Sequence, residues 1–266
     1  MSKGFQSKGF QDALIGAASR LAPVLICVAL WQVVAALHVT DPEFLPGVGA
    51  VVEAFYDLAR EKTIFVELGV SLLTAVAGLA SGILIGVPLG IVMALSRGAD
   101  GFFGPLVKAT YSLPKSALIP LFVLWFGVGG LTNVLATVLT TLLPIVIYTY
   151  HGVQGVPRIF IWSAQAMGTP RATLLRRVIL PAALPAILTG VRIALGFAFI
   201  VTIAAEMIVS NHGIGKLMFL YGDSGAYNYM FAAVITIVAT AFVADWLLQL
   251  ATGHILRWEE KVEQHA

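Results

Sequence analysis

Long apolar runs, interrupted by short polar segments, dominate the chain from residue 21 onward. The runs are continuous rather than alternating and about 20 residues long, which lets an α-helix cross roughly 30 Å of hydrocarbon. The pattern predicts an all-α membrane protein with six transmembrane helices, the third of which begins before its apolar run and is broken at Pro114 and Pro120. The predicted spans lie near residues 21–37, 68–95, 115–126, 131–150, 186–209 and 229–250.

Composition supports a membrane location and excludes other classes of protein. Hydrophobic residues make up 59% of the 266-residue chain and charged residues 11%, and the mean hydropathy is +0.91, which excludes an ordinary soluble domain. The formal net charge of +2 is too small to indicate nucleic-acid binding. Cys27, the single cysteine, lies in an apolar run without a disulfide partner. No cleavage-site pattern follows the first run, so we expect it to be retained as a span.

The positions of lysine and arginine predict the orientation of the spans. With a cytoplasmic N-terminus, 13 of the 16 lysine and arginine residues fall inside, Lys115 among them, and only Arg60, Lys62 and Lys216 fall outside. We therefore predict that both termini are cytoplasmic. The transmembrane domain then covers 21–250, between cytoplasmic segments 1–20 and 251–266. In the first outer loop, apolar residues recur at helical spacing over 48–58, which predicts an amphipathic helix on the outer surface.

The longest inside loop, residues 151–185, has the pattern of a helix-turn-helix elbow. Its first arm is predicted to end at Gly168, because glycine can adopt the left-handed conformation that terminates helices. Thr169 then offers an N-cap, and Pro170 fits the first helical position of a second arm. The loop is therefore expected to project two short helices into the cytoplasm.

The two arms of this elbow differ in chemistry. Small residues such as Ser163 and Ala164 leave little bulk on the first arm, which suits close docking against another protein. The second arm carries three arginines between residues 171 and 177, directed toward water and phosphate headgroups. Pro181 and Pro185 are expected to stop this arm and start the next span. On physical grounds two interpretations stay open: a docking elbow, and a basic loop that only anchors the topology.

The spacing in this loop resembles the EAA loop of ABC importer permeases. The family pattern is Glu-Ala-Ala, three residues, Gly, nine residues, Ile, one residue, Leu-Pro. The matching positions here are Ser163-Ala164, Gly168, Val178 and Leu180-Pro181. Trp162 stands where the family has Glu. The stretches FLPGVGAVVEAF, IGVPLGIVMALSR, LIPLFVLWFGVGG, RRVILPAALPAILTGVRIALG and AAEMI are similar to the branch of these permeases that serves aliphatic sulfonates, taurine and nitrate.

This resemblance implies a type I importer fold in the bacterial inner membrane and a mechanism that needs partners. Two permease copies would form the pore, and each elbow would rest on one of two cytoplasmic ATPase subunits. A substrate-binding protein would deliver a small, anionic solute such as a sulfonate, taurine or nitrate from the other side of the bilayer. The residues implied in ATPase coupling are Ser163, Ala164, Gly168, Thr169, Pro170, Leu180 and Pro181.

ATP chemistry is not expected on this chain. The pair Gly215-Lys216 has Ser210 where a phosphate-binding loop needs its first Gly, and Leu217 where it needs Ser or Thr. We therefore predict a permease subunit with no catalytic site, cofactor or metal of its own.

Polar and small residues inside the spans are the remaining candidates. Glycines that recur every four residues on the second span predict a helix-packing seam. The seam residues are Gly78, Gly82, Gly86 and Gly90. Polar groups inside otherwise apolar spans are candidates for lining the transport pathway. The pathway candidates are Asn133, Thr137, Thr140, Thr141 and Thr202.

Charged residues within spans are costly and are therefore expected to be paired or functional. Arg192 and Asp245 lie near the inner ends of the fifth and sixth spans, where they either pair across helices or face headgroups. Glu206 lies near the outer end of the fifth span and either shapes an outer gate or makes a structural hydrogen bond.

Two other classes of protein fit the sequence less well than the importer. An ion-coupled secondary transporter favours repeated halves with broken helices and acidic or histidine residues at mid-membrane depth, but the elbow has no second copy. A membrane enzyme needs metal-ligand spacing or a nucleophile beside a base, and the five histidines fall at span edges or outside the spans. The importer permease is the favoured interpretation.

Overall fold

A computed structural model describes residues 22–37, 43–111 and 113–258, and within these ranges every regular element is helical. The predicted segment 1–20 and residues 259–266 of the tail lie outside the described residues. A 3-10 turn, Lys115–Leu118, precedes α5, and a π-helical segment, Leu175–Ile179, joins α8 to α9. The helices are α1 Ala22–Ala36, α2 Val48–Arg60, α3 Thr63–Leu95, α4 Arg97–Tyr111, α5 Ile119–Phe126, α6 Gly130–Gln154, α7 Arg158–Ala166, α8 Arg171–Leu174, α9 Leu180–Val209, α10 Ile214–Asp223 and α11 Tyr227–Ile255.

Four of the described helices are long and apolar enough to cross a membrane. They are α3, α6, α11 and the continuous helix Arg171–Val209, which contains α8 and α9. The first and third predicted spans correspond to the shorter apolar helices Ala22–Ala36 and Lys115–Phe126. The third is short because the chain leaves helical geometry at Pro114, whose ψ of 97° is extended, before the 3-10 turn begins.

The centre of the bundle is formed by α3, α6 and α9, with α6 in the middle. The predicted glycine seam of α3 packs against α6. From each contact to the next, the residue number rises by four on both helices, so the two helices run parallel. A Cβ atom added at Gly78 would lie 2.4 Å from Thr137 Cγ2, and one added at Gly90 would lie 2.8 Å from the Val146 carbonyl oxygen. Because the seam glycines have no side chain, the backbones of α3 and α6 can approach each other closely.

The contact between α6 and α9 is equally close but antiparallel. A Cβ at Gly190 would lie 2.6 Å from Tyr148 Cβ, and one at Gly152 would lie 2.7 Å from Ala186 Cβ. Sequence analysis missed these two glycines because neither belongs to a four-residue repeat. A helix pair that meets at isolated glycines leaves no periodic signal in the sequence.

The two ends of the bundle carry different structures. We call the end that holds α7 and α8 the elbow end, and the end that holds α2 and α10 the opposite end. The predicted amphipathic helix is confirmed as α2, whose buried residues Val51, Ala54 and Leu58 pack in one cluster with Ala232 and Ile237 of α11. At the opposite end, α10 packs against α3, α9 and α11.

Candidate functional site

The first arm of the elbow, α7, ends in a hydrogen-bonded turn centred on Gly168. The backbone φ of Gly168 is 76°, in the left-handed region predicted for it. The amide of Thr169 donates to the Ala164 carbonyl at 3.1 Å, and the amide of Gly168 donates to the Gln165 carbonyl at 2.9 Å. This pair of bonds is the Schellman arrangement, which fixes the angle at which the chain leaves the helix.

The predicted cap of the second arm is wrong by one residue. Pro170, and not Thr169, is the N-cap of α8, since its ψ of 152° is extended and its carbonyl accepts the first helical bond from the Leu174 amide at 2.9 Å. No side-chain hydrogen bond caps the helix. Thr169 instead belongs to the turn that ends α7, in which its amide donates to the Ala164 carbonyl.

The prediction that Pro181 and Pro185 stop the second arm is also wrong. The helix runs without interruption from Arg171 to Val209. Pro181 lies in the first turn of α9, beside Leu180, and the segment before it is π-helical, with the Leu180 amide bonded to the Leu175 carbonyl. Because proline lacks an N–H and crowds the carbonyl four residues earlier, a locally widened helix accommodates it without ending.

The exposed surface of the elbow carries both apolar and basic side chains. Ala164 is 5% exposed and packs inward with Leu174, so it anchors α7 to the bundle and is not available for the docking predicted for it. Ser163 is exposed, as are Trp162 (59%) and Met167 (79%). No aspartate or glutamate occurs anywhere between residues 101 and 205. The elbow therefore presents large apolar side chains among arginines.

A cavity of about 1200 Å³ lies between α4, α6 and α9. Most of its wall is apolar, and its charged lining groups are Asp100, Lys108 and Lys115. Tyr150, His151 and Gln154 line it near the elbow end of α6. Thr140 is the one predicted pathway residue among those that line the cavity.

The other predicted pathway residues are buried in helix contacts and do not line this cavity. Thr137 and Thr202, which are at most 1% exposed, join α6 to α9 through hydroxyl oxygens 3.0 Å apart. Thr141 donates to the Thr137 carbonyl at 2.9 Å. Asn133 is 2% exposed, and its Oδ1 has no hydrogen-bond partner among the described residues. The bond made by Thr141 is a common one, because a buried threonine hydroxyl often donates to a backbone carbonyl of its own helix.

Glu206 lies at the opposite end and holds the start of α10. Its side chain is fully buried, and Oε2 accepts hydrogen bonds from Ser71 Oγ at 2.7 Å and from the Gly215 amide at 3.0 Å. Ser71 Oγ in turn accepts from the Ile214 amide at 2.8 Å. The first amides of a helix lack partners within the helix and carry partial positive charge, so a carboxylate is stabilised there.

Neighbouring residues complete this cluster at the start of α10. The Gly213 amide donates to Glu67 Oε2, and Glu67 Oε1 lies 3.3 Å from Nδ1 of His212. A Cβ at Gly213, whose φ is 110°, would lie 2.2 Å from Glu206 Cδ, so only glycine fits there. Sequence analysis missed Glu67, Ser71 and Gly213, because residues from three separate segments meet only in the fold.

The structure brings Arg192 and Asp245 together in a two-bond ion pair between α9 and α11. Arg192 Nε lies 2.7 Å from Asp245 Oδ1, and Nη2 lies 3.0 Å from Oδ2. Gln249 also donates to Asp245. The side chains of the pair are 51% and 34% exposed, so water screens their attraction and we assign the pair an orienting role rather than a large part in stability.

Comparison with known proteins identifies the class to which this architecture belongs. Residues 86–255 match the family described as "Binding-protein-dependent transport system inner membrane component". The chain belongs to this family. The matched region contains the glycine seam from Gly86 onward, most of the helices that line the cavity, the elbow and α11, whereas Glu67 and Ser71 of the cluster at the start of α10 lie before it.

Curated relatives match this inner membrane component over nearly its full length. The taurine transport system permease protein TauC of Escherichia coli (strain K12) is 32% identical over 248 residues, which are 91% of this chain and 90% of the relative. The putative aliphatic sulfonates transport permease protein SsuC of the same strain is 34% identical over 242 residues, which are 90% and 92% of the two chains.

Solved structures support the fold. A chain of the MetNI methionine ABC transporter in an inward-facing conformation matches with a TM-score of 0.60 at 20% identity, over 74% of this chain and 94% of that chain. A chain of an amino acid ABC transporter matches with a TM-score of 0.58 at 20% identity, over 77% and 98%. The inner membrane component therefore has the fold of type I ABC importer permeases.

Proposed function

We propose that this permease forms one half of a homodimeric pore through which two cytoplasmic ATPase subunits drive the import of a small organic anion. A binding protein on the outer side delivers the solute, and the elbow end faces the cytoplasm. Relatives whose names specify taurine and aliphatic sulfonates support a sulfonate as cargo. The two lysines on the cavity wall, against one aspartate, are consistent with an anionic solute.

One observation carries the proposed coupling between ATPase and pore. The helix that begins in the elbow at Arg171 continues without interruption to Val209. Along the way, Ile193, Phe197 and Ile200 of this helix line the cavity. A force applied to the elbow is therefore transmitted through a continuous helix to one wall of the cavity. We infer that closure of the ATPase subunits moves this wall.

The Gly168 turn supplies a test of this coupling. A Cβ at Gly168 meets no atom within 4 Å, so a substitution there strains only the backbone, by about 1–2 kcal/mol, and disturbs no packing. We expect Gly168→Asp to insert normally and to lose most of the ATPase on co-purification, because a carboxylate would be placed on a basic docking surface.

The matched control is Gly168→Asn, which has nearly the same shape and the same tolerance of the left-handed conformation but no charge. It should retain clearly more ATPase than Gly168→Asp. The amount of ATPase recovered per inserted permease is the measurement. Equal, wild-type recovery with both variants would mean that the elbow is only a basic anchor.

A further inference from the structure

Lys115 occupies an unusual place in the third span. Sequence analysis assigned it to the inside, but Ile119, one turn further along, is fully buried in a cluster with Ala136 and Val201. Lys115 and Thr140 both line the cavity, each one turn toward the elbow end from that cluster. Thr140 lies ten residues from Gly130, about 15 Å into α6. Lys115 therefore lies near mid-depth of the spanning bundle.

The ammonium group of Lys115 has no counter-ion within the described part of the chain. Its Nζ donates to the Tyr111 carbonyl at 2.7 Å and lies 5.5 Å from the centre of the Tyr111 ring. The ion pairs found among described residues are Arg192–Asp245 and His212–Glu67, and neither involves this group. One hydrogen bond leaves two of its three N–H donors available.

Chain geometry explains why this lysine is held at the cavity. The chain breaks at Pro114, and Lys115 opens the 3-10 turn that follows. Irregular backbone at membrane depth is tolerated where it is buried in protein or lines a water-filled cavity. The turn contacts both α6 and α9, so the break lies on the wall of the cavity rather than toward lipid.

The positive charge of Lys115 determines which kind of ligand can bind beside it in the cavity. A charged side chain at membrane depth is costly, and such residues face an interior cavity where they pair or bind ions. Among the described residues that line the cavity, the one carboxylate is that of Asp100 in the first turn of α4, and it forms no ion pair with Lys115. An anion that enters the cavity would supply the missing counter-charge at Lys115.

We propose that Lys115 binds the sulfonate or carboxylate group of a small organic anion at mid-depth in the cavity. This inference rests on the proposed function, because it assigns the cavity to the transport pathway. It makes Lys115 a specificity-determining residue of the permease itself, in addition to any selection by a binding protein.

The test uses the full chain in lipid nanodiscs and ethanesulfonate as the probe, with the neutral ethyl methyl sulfone at equal concentration as the comparison ligand. We expect ethanesulfonate, and not the sulfone, to raise the thermal unfolding midpoint of the wild type. Lys115→Met should weaken the apparent affinity by about tenfold or more, the effect of losing a charged hydrogen bond. Lys115→Arg should retain the response.

Lys216→Met is the charge-matched control, because Lys216 lies on α10 and does not line the cavity. It should respond as the wild type does. An undiminished response of Lys115→Met, an equal loss in Lys216→Met, or no response of the wild type would each overturn the proposal. Ligand binding by the permease needs no ATPase. Failure of the ATPase to co-purify would therefore contradict the proposed function but would not affect the result of the binding measurement.

Discussion

Gly90→Ala is expected to destabilise the permease strongly. The new Cβ would lie 2.7 Å from Thr149 Cβ and 2.8 Å from the Val146 carbonyl oxygen, and the latter cannot move without displacing the α6 backbone. Overpacking of this kind costs about 1–3 kcal/mol or more. The thermal unfolding midpoint and the yield of monodisperse protein in detergent should both fall sharply.

The same helix provides the control for this change. Gly69 is also in α3, but a Cβ there meets no atom within 4 Å, so Gly69→Ala should be tolerated. Similar losses at both positions would show that α3 rejects alanine for reasons other than contact with α6.

A second-site change tests the seam in more detail. At Gly82 the new Cβ would lie 2.3 Å from Thr141 Oγ1 but 3.1 Å from Thr141 Cβ. Thr141→Ala should therefore restore part of the stability that Gly82→Ala loses. Thr149→Ala should not restore the stability of Gly90→Ala in the same way, because the contact of the new Cβ with the Val146 carbonyl oxygen remains. Rescue of neither or of both pairs would contradict the contacts described for α3 and α6.

Glu206→Ala is expected to destabilise the opposite end of the bundle by about 3 kcal/mol or more. The change removes the acceptor for Ser71 Oγ and for the Gly215 amide, and buried donors without partners each cost about 1–3 kcal/mol. A cavity of side-chain size is added to that loss. The start of α10 should loosen, which hydrogen exchange of the amides at 213–217 would report.

Glu206→Gln removes the negative charge but keeps the side-chain volume and an acceptor oxygen. Its amide oxygen can still accept from Ser71 and Gly215, so this variant should lose much less stability than Glu206→Ala. Unchanged exchange protection of α10 in Glu206→Ala would exclude the role assigned here to the carboxylate.

The sequence predicted local features well where a single helix carries the signal. The four-residue glycine repeat of α3, the left-handed turn at Gly168 and the amphipathic helix α2 all depend on neighbours along one segment. The prolines misled because their effect depends on what surrounds them. Pro181 was expected to end a helix, yet the helix widens by a π-helical segment and continues.

Features that join distant segments could not be predicted from the sequence. Glu206 meets Ser71 across 135 residues, and nothing in either segment indicates the contact. Lys115 was assigned to the inside because it lies at the start of the third predicted span, at the boundary with an inside loop. Its depth follows only from the packing of Ile119 against α6 and α9. Threonines in apolar spans were likewise ambiguous until their hydrogen-bond partners were known.

Uptake into vesicles shows whether this permease works as the pore of an ATP-driven importer. Radiolabelled taurine and ethanesulfonate are presented with the binding protein outside, and ATP is enclosed with the ATPase inside. We predict uptake only when permease, ATPase and ATP are all present, and little uptake with Gly168→Asp at equal insertion. Uptake by the permease alone, driven by a proton or sodium gradient, would exclude an ATP-driven importer and identify a secondary transporter.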